Sequence, residues 1–390
     1  MKAARLARRN VLHRPLETGL SVLLLAFGVG IISLMLLMQR SLTEDLDRNI
    51  KDIDLVLGAK GSPLQLILAN VYHVDVPTGN IPLEEARKVM RHPYIAEAIP
   101  LAYGDNYELF RIVGTEHSYP DHYGAEIADG QLFEAPFEVT VGAEVAATTG
   151  LGIGDTFYSA HGLTDGTDVH RDKAYTVVGI FGRTGSVIDQ LLLTPIESVW
   201  GVHEDIEDAD EEITAVLLKK RNPLAVLTIP NTIRETNMQV ALPSIEINRL
   251  TQNFGIGMNT LRAIALLIML ISFASIFISV YDNLLARRYE LALMRTMGGS
   301  RGGLFLLLLL EGGLLSTGGS LLGLVLSRLG LVALAQLVED KFRYDWSNIG
   351  VMPEELILVG LAIFVGLIAA AIPGISAVRT DTSRTLSEAQ

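Results

Sequence analysis

The sequence predicts an α-helical membrane protein with four transmembrane helices and an α+β extracytoplasmic domain inserted between the first and second helices. Apolar residues make up 49% of the 390 residues, and the mean hydropathy of +0.36 is high for a water-soluble chain. These residues are concentrated in four runs, each near or above the ~20 residues that cross a hydrocarbon core. The four runs are Thr18–Met38, Leu261–Leu285, Leu304–Val338 and Leu356–Val378.

The distribution of charge orients these runs in the membrane. The first 15 residues carry five basic side chains and no acidic one. The connector between the second and third runs, residues 286–301, carries four arginines and one glutamate. Both segments are therefore predicted to be cytoplasmic by the positive-inside rule. Residues 39–258 contain about twice as many acidic as basic side chains and are predicted to lie on the opposite side.

Composition also excludes several kinds of function. The formal net charge of -13 argues against a nucleic-acid partner. The absence of cysteine excludes disulfides, thiolate metal sites and a cysteine nucleophile. The first apolar run, at 21 residues, exceeds the ~7 to 15 of a signal-peptide core, and no small-residue cleavage site follows Met38. This run is therefore predicted to be a retained membrane anchor.

The segment between the first two runs mixes helical and strand patterns. Helical spacing of apolar residues in 41–57 predicts that the first span continues outward as a stalk, and residues 231–258 are predicted to return as a second stalk. Short β-type runs between Gly and Asp turns predict the α+β domain. These runs are Tyr107–Val113, Glu138–Val141, Tyr175–Phe181 and Ile213–Leu218.

These patterns divide the chain into nine predicted segments. The predicted order is a cytoplasmic amphipathic helix (1–15), the first transmembrane helix (16–38), the extracytoplasmic domain with its stalks (39–258), the second transmembrane helix (259–285), a cytoplasmic helix (286–301), the third transmembrane helix (302–338), an outer loop (339–352), the fourth transmembrane helix (353–378) and a cytoplasmic tail (379–390).

The third apolar run contains the features expected of a packed helix. Small residues let helix backbones approach closely, so Gly312, Gly319 and Gly323 are predicted packing positions, the last two in GxxxG spacing. A carboxylate inside a span is costly. We expect Glu311 to hydrogen-bond or pack within a dimer, in preference to a transport role. Tyr344 and Trp346 are predicted to anchor the following loop at the membrane interface.

The sequence contains no recognisable catalytic or nucleotide-binding motif. No G-x-x-x-x-G-K-[ST] phosphate-binding loop occurs, so energy for transport must come from another chain. Neither G-x-S-x-G nor H-E-x-x-H occurs, which disfavours a membrane hydrolase. Seven histidines and the acidic run Glu204–Glu212 fall in 39–258 and suggest a metal site, but their spacings do not fit one. We expect these histidines to be solvated surface residues.

The connector at 286–301 is the most informative segment. Its central residues favour a helix, which Gly298 and Gly299 are suited to end, and Ser300 can cap the helix that follows. In that helix Leu291 and Met294 would form an apolar knob, with Glu290 and Arg295 as flanking charges that set register with a partner. The alternative is a basic loop held by anionic lipid.

This connector resembles the coupling helix of the permeases of FtsX/MacB-type ABC transporters. The matching residues are Arg287, Arg288, Glu290, Leu291, Ala292, Met294, Arg295, Met297 and Gly298. Residues 6–14, 141–157, 175–180, 311–323 and 372–379 also resemble family segments, whereas residues 60–135 show no shared motif.

The resemblance implies a non-catalytic permease subunit in a bacterial inner membrane. Two permease chains would pair, as a homodimer in preference to a heterodimer. Each would dock its coupling helix, including Arg287, Arg288, Glu290, Leu291, Met294, Arg295, Met297 and Gly298, into a cytoplasmic ABC ATPase that carries ATP and Mg. This chain itself would bind no cofactor. An extracytoplasmic binding protein or adaptor and membrane lipid are further expected partners. The alternatives are an extracytoplasmic sensor or scaffold, or a metal- or haem-handling transport component.

Overall fold

The chain forms two compact units in this computed structural model. The structure describes residues 2–13, 15–160, 169–202, 211–286, 293, 296–298, 300–342 and 350–379. One unit, here called the helical unit, comprises Met1–Leu42 and Phe254–Gln390, and the other, here called the sheet domain, comprises Thr43–Asn253. In chain order the sheet domain is thus inserted into the helical unit.

Among the described residues, four helices are long and apolar enough to cross a membrane. The described helices are α1 (Lys2–His13), α2 (Pro15–Ile50), α3 (Pro63–Asn70), α4 (Leu83–Met90), α5 (Ser118–His122), α6 (Ala143–Thr149), α7 (Ile196–Trp200), α8 (Ala225–Thr232), α9 (Pro243–Ala286), α10 (Arg301–Phe342) and α11 (Pro353–Arg379). The four apolar ones lie in α2, α9, α10 and α11, which confirms the predicted number.

The helical unit is apolar both inside and outside. Its interior is a cluster of buried side chains from α2, α9, α10 and α11, such as Leu25, Met269 and Leu308. Large apolar side chains are also exposed on the helix surfaces, for example Leu270 and Ile357 at 68% and 70% exposure. A water-soluble bundle would place polar residues on such faces, so the exposed side chains suit contact with lipid.

The sheet domain is built on a ten-stranded sheet with the order β12-β1-β11-β3-β4-β9-β6-β8-β5, in which β7 pairs with β3 and β8. Its pairs are antiparallel except for β4 with β9 and β6 with β8. The strands are β1 (Leu55–Ala59), β2 (Ile81–Pro82), β3 (Ile95–Tyr107), β4 (Phe110–Thr115), β5 (Ile127–Gly130), β6 (Glu138–Val141), β7 (Thr156–Ala160), β8 (Val169–Phe181), β9 (Leu191–Thr194), β10 (Glu212–Ile213), β11 (Ala215–Lys220) and β12 (Met238–Ala241). A second, two-stranded sheet pairs β2 with β10.

Helices packed on the sheet complete two hydrophobic cores. One core gathers buried residues of β1, β11, α4 and α8, including Leu57, Val216 and Ile229. The other gathers residues of β4, β6, β7 and β8 around Phe110 and Tyr175. The predicted α+β character of this region is therefore confirmed.

Three predictions of local structure were wrong. The helix predicted through Leu57 ends at Ile50, and Leu55–Ala59 is a fully buried central strand, for which a continuous apolar run is typical. The predicted strand Tyr107–Val113 is the end of β3 and the start of β4, joined by a turn in which Glu108 has φ 51°. The predicted second stalk is preceded by β12, which pairs with β1.

Candidate functional site

The connector between α9 and α10 carries the predicted coupling residues, and the structure describes only part of it. Arg287, Arg288, Glu290, Leu291, Met294 and Arg295 lie outside the described residues, as do Gly299, Tyr344 and Trp346. Of the predicted site residues here, Met297 and Gly298 are described. Met297 is 76% exposed, a high value for an apolar side chain.

At the described end of this connector, one helical turn ends and α10 begins. The Met297 amide donates to the Leu293 carbonyl over 3.1 Å, which is a helical bond. Gly298 then adopts φ 96°, a conformation that glycine reaches without steric cost. The Ser300 hydroxyl accepts from the Gly303 amide at 3.1 Å and so caps the N-terminus of α10. The predicted cap at Ser300 is confirmed.

Glu311 is buried in the helical unit and is bound within its own chain. The Asn10 side-chain amide of α1 donates to Glu311 Oε1 over 2.5 Å, and both side chains are buried. Ala7, one turn earlier on α1, is fully buried, whereas Arg5, Arg8 and Arg9 are exposed. A carboxylate at this depth therefore joins α1 to α10.

The glycines of α10 lie where other helices come closest. A Cβ on Gly323 would lie 2.8 Å from the Ala26 carbonyl oxygen and 3.1 Å from the Gly30 nitrogen of α2. A Cβ on Gly319 would lie 2.9 Å from Leu25, also of α2. Two turns before Gly319 on α10, a Cβ on Gly312 would meet the Ala370 side chain of α11. These contacts are closer than ordinary packing allows for any larger residue.

A buried ion pair, which was not predicted, ties α2, α10 and α11 together. Arg328 of α10 donates to both carboxylate oxygens of Glu355, with 2.5 Å from Nη2 to Oε2. Ser33 of α2 donates to Glu355 Oε1 over 2.5 Å and accepts from Arg328 Nη1 over 3.0 Å. The Met352 amide donates to Glu355 Oε2 over 3.0 Å. Glu355 is fully buried, so its charge is neutralised wholly by protein groups.

His73 of the sheet domain is not the solvated surface residue that was predicted, whereas His117 is exposed as predicted. His73 is hydrogen-bonded through both ring nitrogens, to the Tyr103 and Tyr119 hydroxyls at 2.6 and 2.7 Å. Removal of the imidazole from water and the nearby Arg111 guanidinium lower the pKa of His73 to about 3. His117 and His122 each contact a backbone carbonyl. The side chains of His161, His170 and His203 lie outside the described residues.

The described part of the chain offers no candidate metal centre. No group of three or more His, Asp or Glu side chains is arranged to hold a metal ion there. The acidic run Glu204–Glu212 that suggested such a site is described only at its last two residues.

The described part of the chain combines four helices long and apolar enough to cross a membrane with an α+β domain inserted between the first and the second of them. A family model of the MacB-like periplasmic core domain matches residues 18–227, more than half of the chain. A second model, of the FtsX-like permease C-terminal domain, matches residues 262–382. The first match includes residues 60–135, where the sequence contains no motif that resembles the family. The chain therefore belongs to the FtsX/MacB-like family of ABC transporter permeases.

The individual proteins that resemble this chain share 29% or less sequence identity with it. An uncharacterized ABC transporter permease protein of Mycobacterium tuberculosis is 29% identical over 279 residues, which cover 66% of this chain and 30% of the relative. This chain thus spans less than a third of that protein's length. The periplasmic region of MacB from Actinobacillus actinomycetemcomitans covers 53% of this chain and 96% of its own, with 13% identity and a TM-score of 0.37. The extracellular domain of the noncanonic ABC-type transporter YknZ from Gram-positive bacteria covers 48% and 98%, with 11% identity and a TM-score of 0.32.

Proposed function

We propose that this chain is the membrane subunit of an ABC transporter and converts ATP hydrolysis by a separate cytoplasmic ATPase into movement of the sheet domain outside the membrane. The observation that carries the proposal is the match of both family models, one for each part of the chain. The cargo would be a lipoprotein, a peptide or a hydrophobic compound extracted from or exported across a bacterial inner membrane.

The contacts of the helical unit support a mechanical role. A subunit that transmits force needs helices that move together, and α2, α10 and α11 share a buried ion pair and backbone-to-backbone glycine contacts. A force applied to the start of α10 would therefore reach α2, the helix whose last turn lies in the sheet domain.

The docking site for the ATPase would be the connector between α9 and α10. In this proposal Glu290, Leu291 and Met294 contact the ATPase, with Arg287, Arg288 and Arg295 around them. The ordered start of α10 at Ser300 would pass the movement into the membrane. A second permease chain would complete the transporter, and ATP with Mg would be bound by the partner only.

Co-purification tests this proposal. The cytoplasmic ATPase is expected to co-purify with the wild-type chain and to be lost with the double variant Glu290→Lys, Met294→Asp, because a reversed charge and a buried carboxylate oppose docking. A matched control is the double variant Glu134→Lys, Leu227→Asp, which makes the same charge reversal and a similar replacement of an apolar side chain by Asp at exposed positions of the sheet domain. Retention of the ATPase by the first variant, or its equal loss from the control, would contradict the docking assignment.

A further inference from the structure

The first helix, α1, is held against the rest of the helical unit by one of its faces. Ala7 is fully buried, and Asn10 is buried where its amide donates to Glu311 of α10. Val11 packs against the apolar cluster of the unit, and its carbonyl accepts from the Thr18 hydroxyl of α2 over 2.8 Å. These contacts fix the rotation of α1 about its own axis, so one set of its side chains points outward.

The outward face of α1 carries three arginines. Arg5, Arg8 and Arg9 are exposed, and their spacing of three and four residues makes them neighbours on the helix surface. The first 15 residues contain no acidic side chain. Within the part of the chain that the structure describes, none of the three forms an ion pair or a side-chain hydrogen bond. The face therefore presents three positive charges without a counter-charge.

Apolar side chains are exposed beside these arginines. Leu12 lies one turn after Arg8 and Arg9 and is 66% exposed. Leu6 is also exposed, and Leu16, at the start of α2, is 88% exposed. A free anion in water would leave these leucines exposed, whereas a phospholipid presents a phosphate and acyl chains within one molecule. The combination of side chains thus fits a lipid better than a free anion.

The chain connects α1 directly to a helix that is long and apolar enough to cross a membrane. α1 ends at His13, and α2 begins at Pro15. At a rise of 1.5 Å per residue, all three arginines lie within about 15 Å of helix length from the start of α2. They are therefore held near the headgroup region that borders the hydrocarbon core.

We infer that Arg5, Arg8 and Arg9 form a binding surface for the headgroup of an anionic phospholipid in the surrounding bilayer. Guanidinium groups bind phosphate oxygens through pairs of parallel hydrogen bonds, and Leu6 and Leu12 beside them would contact the acyl chains. The sequence predicted lipid as a partner but assigned no residues to it. The inference does not depend on the proposed function, because lipid would bind in the absence of an ATPase.

Native mass spectrometry of the full chain, purified in nonionic detergent without an ATPase, measures this binding. Dioleoylphosphatidylglycerol, which is anionic, and dioleoylphosphatidylcholine, which is zwitterionic and has the same acyl chains, are titrated separately. The wild type should bind phosphatidylglycerol at least about tenfold more tightly than phosphatidylcholine, because a basic side chain near an anionic lipid surface contributes about fivefold in affinity. The triple variant Arg5→Gln, Arg8→Gln, Arg9→Gln, here called the α1 variant, should lose at least about tenfold in affinity for phosphatidylglycerol and bind phosphatidylcholine like the wild type.

The matched control is the triple variant Arg91→Gln, Arg221→Gln, Arg234→Gln. These arginines of the sheet domain are likewise exposed and have no ion pair among the described residues, but they lie on separate segments. The control has the same net charge as the α1 variant, and its affinity for phosphatidylglycerol should stay within about twofold of the wild type. Thermal unfolding of the α1 variant in phosphatidylcholine should match the wild type, because the replaced side chains make no described polar contact.

Four results would overturn the inference. The first is wild-type affinity for phosphatidylglycerol in the α1 variant, and the second is equal affinity of the wild type for the two lipids. The third is full competition by inorganic phosphate at millimolar concentration, which would indicate a site for a free anion. The fourth is loss of ATPase co-purification from the α1 variant in phosphatidylcholine alone, which would assign the surface to the ATPase. Failure of the proposed docking site is distinguishable, since Glu290→Lys, Met294→Asp should keep its affinity for phosphatidylglycerol.

Discussion

Glu355 is the buried carboxylate on which three helices of the helical unit converge, and Glu355→Gln tests how much that convergence stabilises the fold. The substitution keeps the size of the side chain and removes its charge. Arg328, whose side chain is 16% exposed, is then left in an apolar unit without a counter-charge. The Ser33 hydroxyl and the Met352 amide lose their charged acceptor.

The magnitude follows from those contacts. Breaking a buried ion pair by removing one partner costs about 3–5 kcal/mol. Because Arg328 keeps its bond to the Gly350 carbonyl and is not wholly buried, we expect the lower end, about 3 kcal/mol. For a unit of this size that corresponds to a fall in Tm of about 6–12 °C. The measurement is thermal unfolding of the purified chain in detergent, followed by circular dichroism.

The double variant Arg328→Gln, Glu355→Gln separates pairing from simple loss of charge. It leaves no unpaired charge, so it should be at least about 2 kcal/mol more stable than the sum of the single variants predicts. Arg249→Gln is the control, because Arg249 pairs with Glu246 at 2.9 Å but is 67% exposed, and exposed pairs contribute about 0.2–1 kcal/mol. The reasoning is refuted if the single effects of Arg328→Gln and Glu355→Gln on the free energy of unfolding simply add in the double variant. It is also refuted if Arg249→Gln loses as much stability as Glu355→Gln.

Two further predictions concern the glycine contacts and acid stability. Gly323→Ala should lower the free energy of unfolding by about 1–3 kcal/mol, because the new methyl group meets the backbone of α2. Gly318→Ala, with no atom within 4 Å of its Cβ, should not lower it in the same thermal measurement. His73 has a pKa of about 3 when folded against 6.5 for a free histidine, so the unfolded chain binds the extra proton between those values. The stability of the sheet domain should therefore fall by up to about 1.4 kcal/mol per unit as pH drops from 6.5 towards 3. A His73→Gln variant should lose this part of the slope in pH-dependent denaturant unfolding, and an unchanged slope would contradict it.

The membrane helices could be predicted from sequence because the bilayer imposes a length and a polarity that leave few alternatives. The sheet domain could be predicted only as a class of fold. Leu55–Ala59 continues the apolar pattern of the helix before it, and only pairing with β11 and β12 makes it a strand. Short apolar runs are compatible with both structures, so tertiary contacts decide between them.

The paired polar residues were harder to predict than the helices that carry them. Arg328 is a charge within the third apolar run, but its partner is 27 residues away on the next helix. Ser33, the third member, is separated from Glu355 by 322 residues. Contacts between residues so far apart leave no recognisable pattern in the local sequence. The position of Glu355 in the sequence could have indicated the ion pair. Glu355 directly precedes the fourth apolar run, and a charge so near hydrocarbon requires a partner.

The hydrogen bonds made by polar side chains of the helical unit bear on the function proposed for this chain. Glu311 is bound by Asn10, Glu355 by Arg328 and Ser33, and the Ser21 hydroxyl lies 2.8 Å from that of Ser275. Each of these bonds joins two helices of one chain. A pathway for a polar solute needs such groups free to exchange partners with the solute.

Hydrogen bonds between helices do not provide such a pathway. They hold the helices together, so that the helical unit moves as a whole. Among the described residues of the helical unit, Ser279 Oγ and Asn283 Oδ1 of α9 are the buried side-chain atoms left without a partner. They lie one helical turn apart near the end of α9, beside the connector proposed to meet the ATPase. Apart from these two atoms, the polar contacts named above hold helices of the unit together, which agrees with the mechanical role proposed for it.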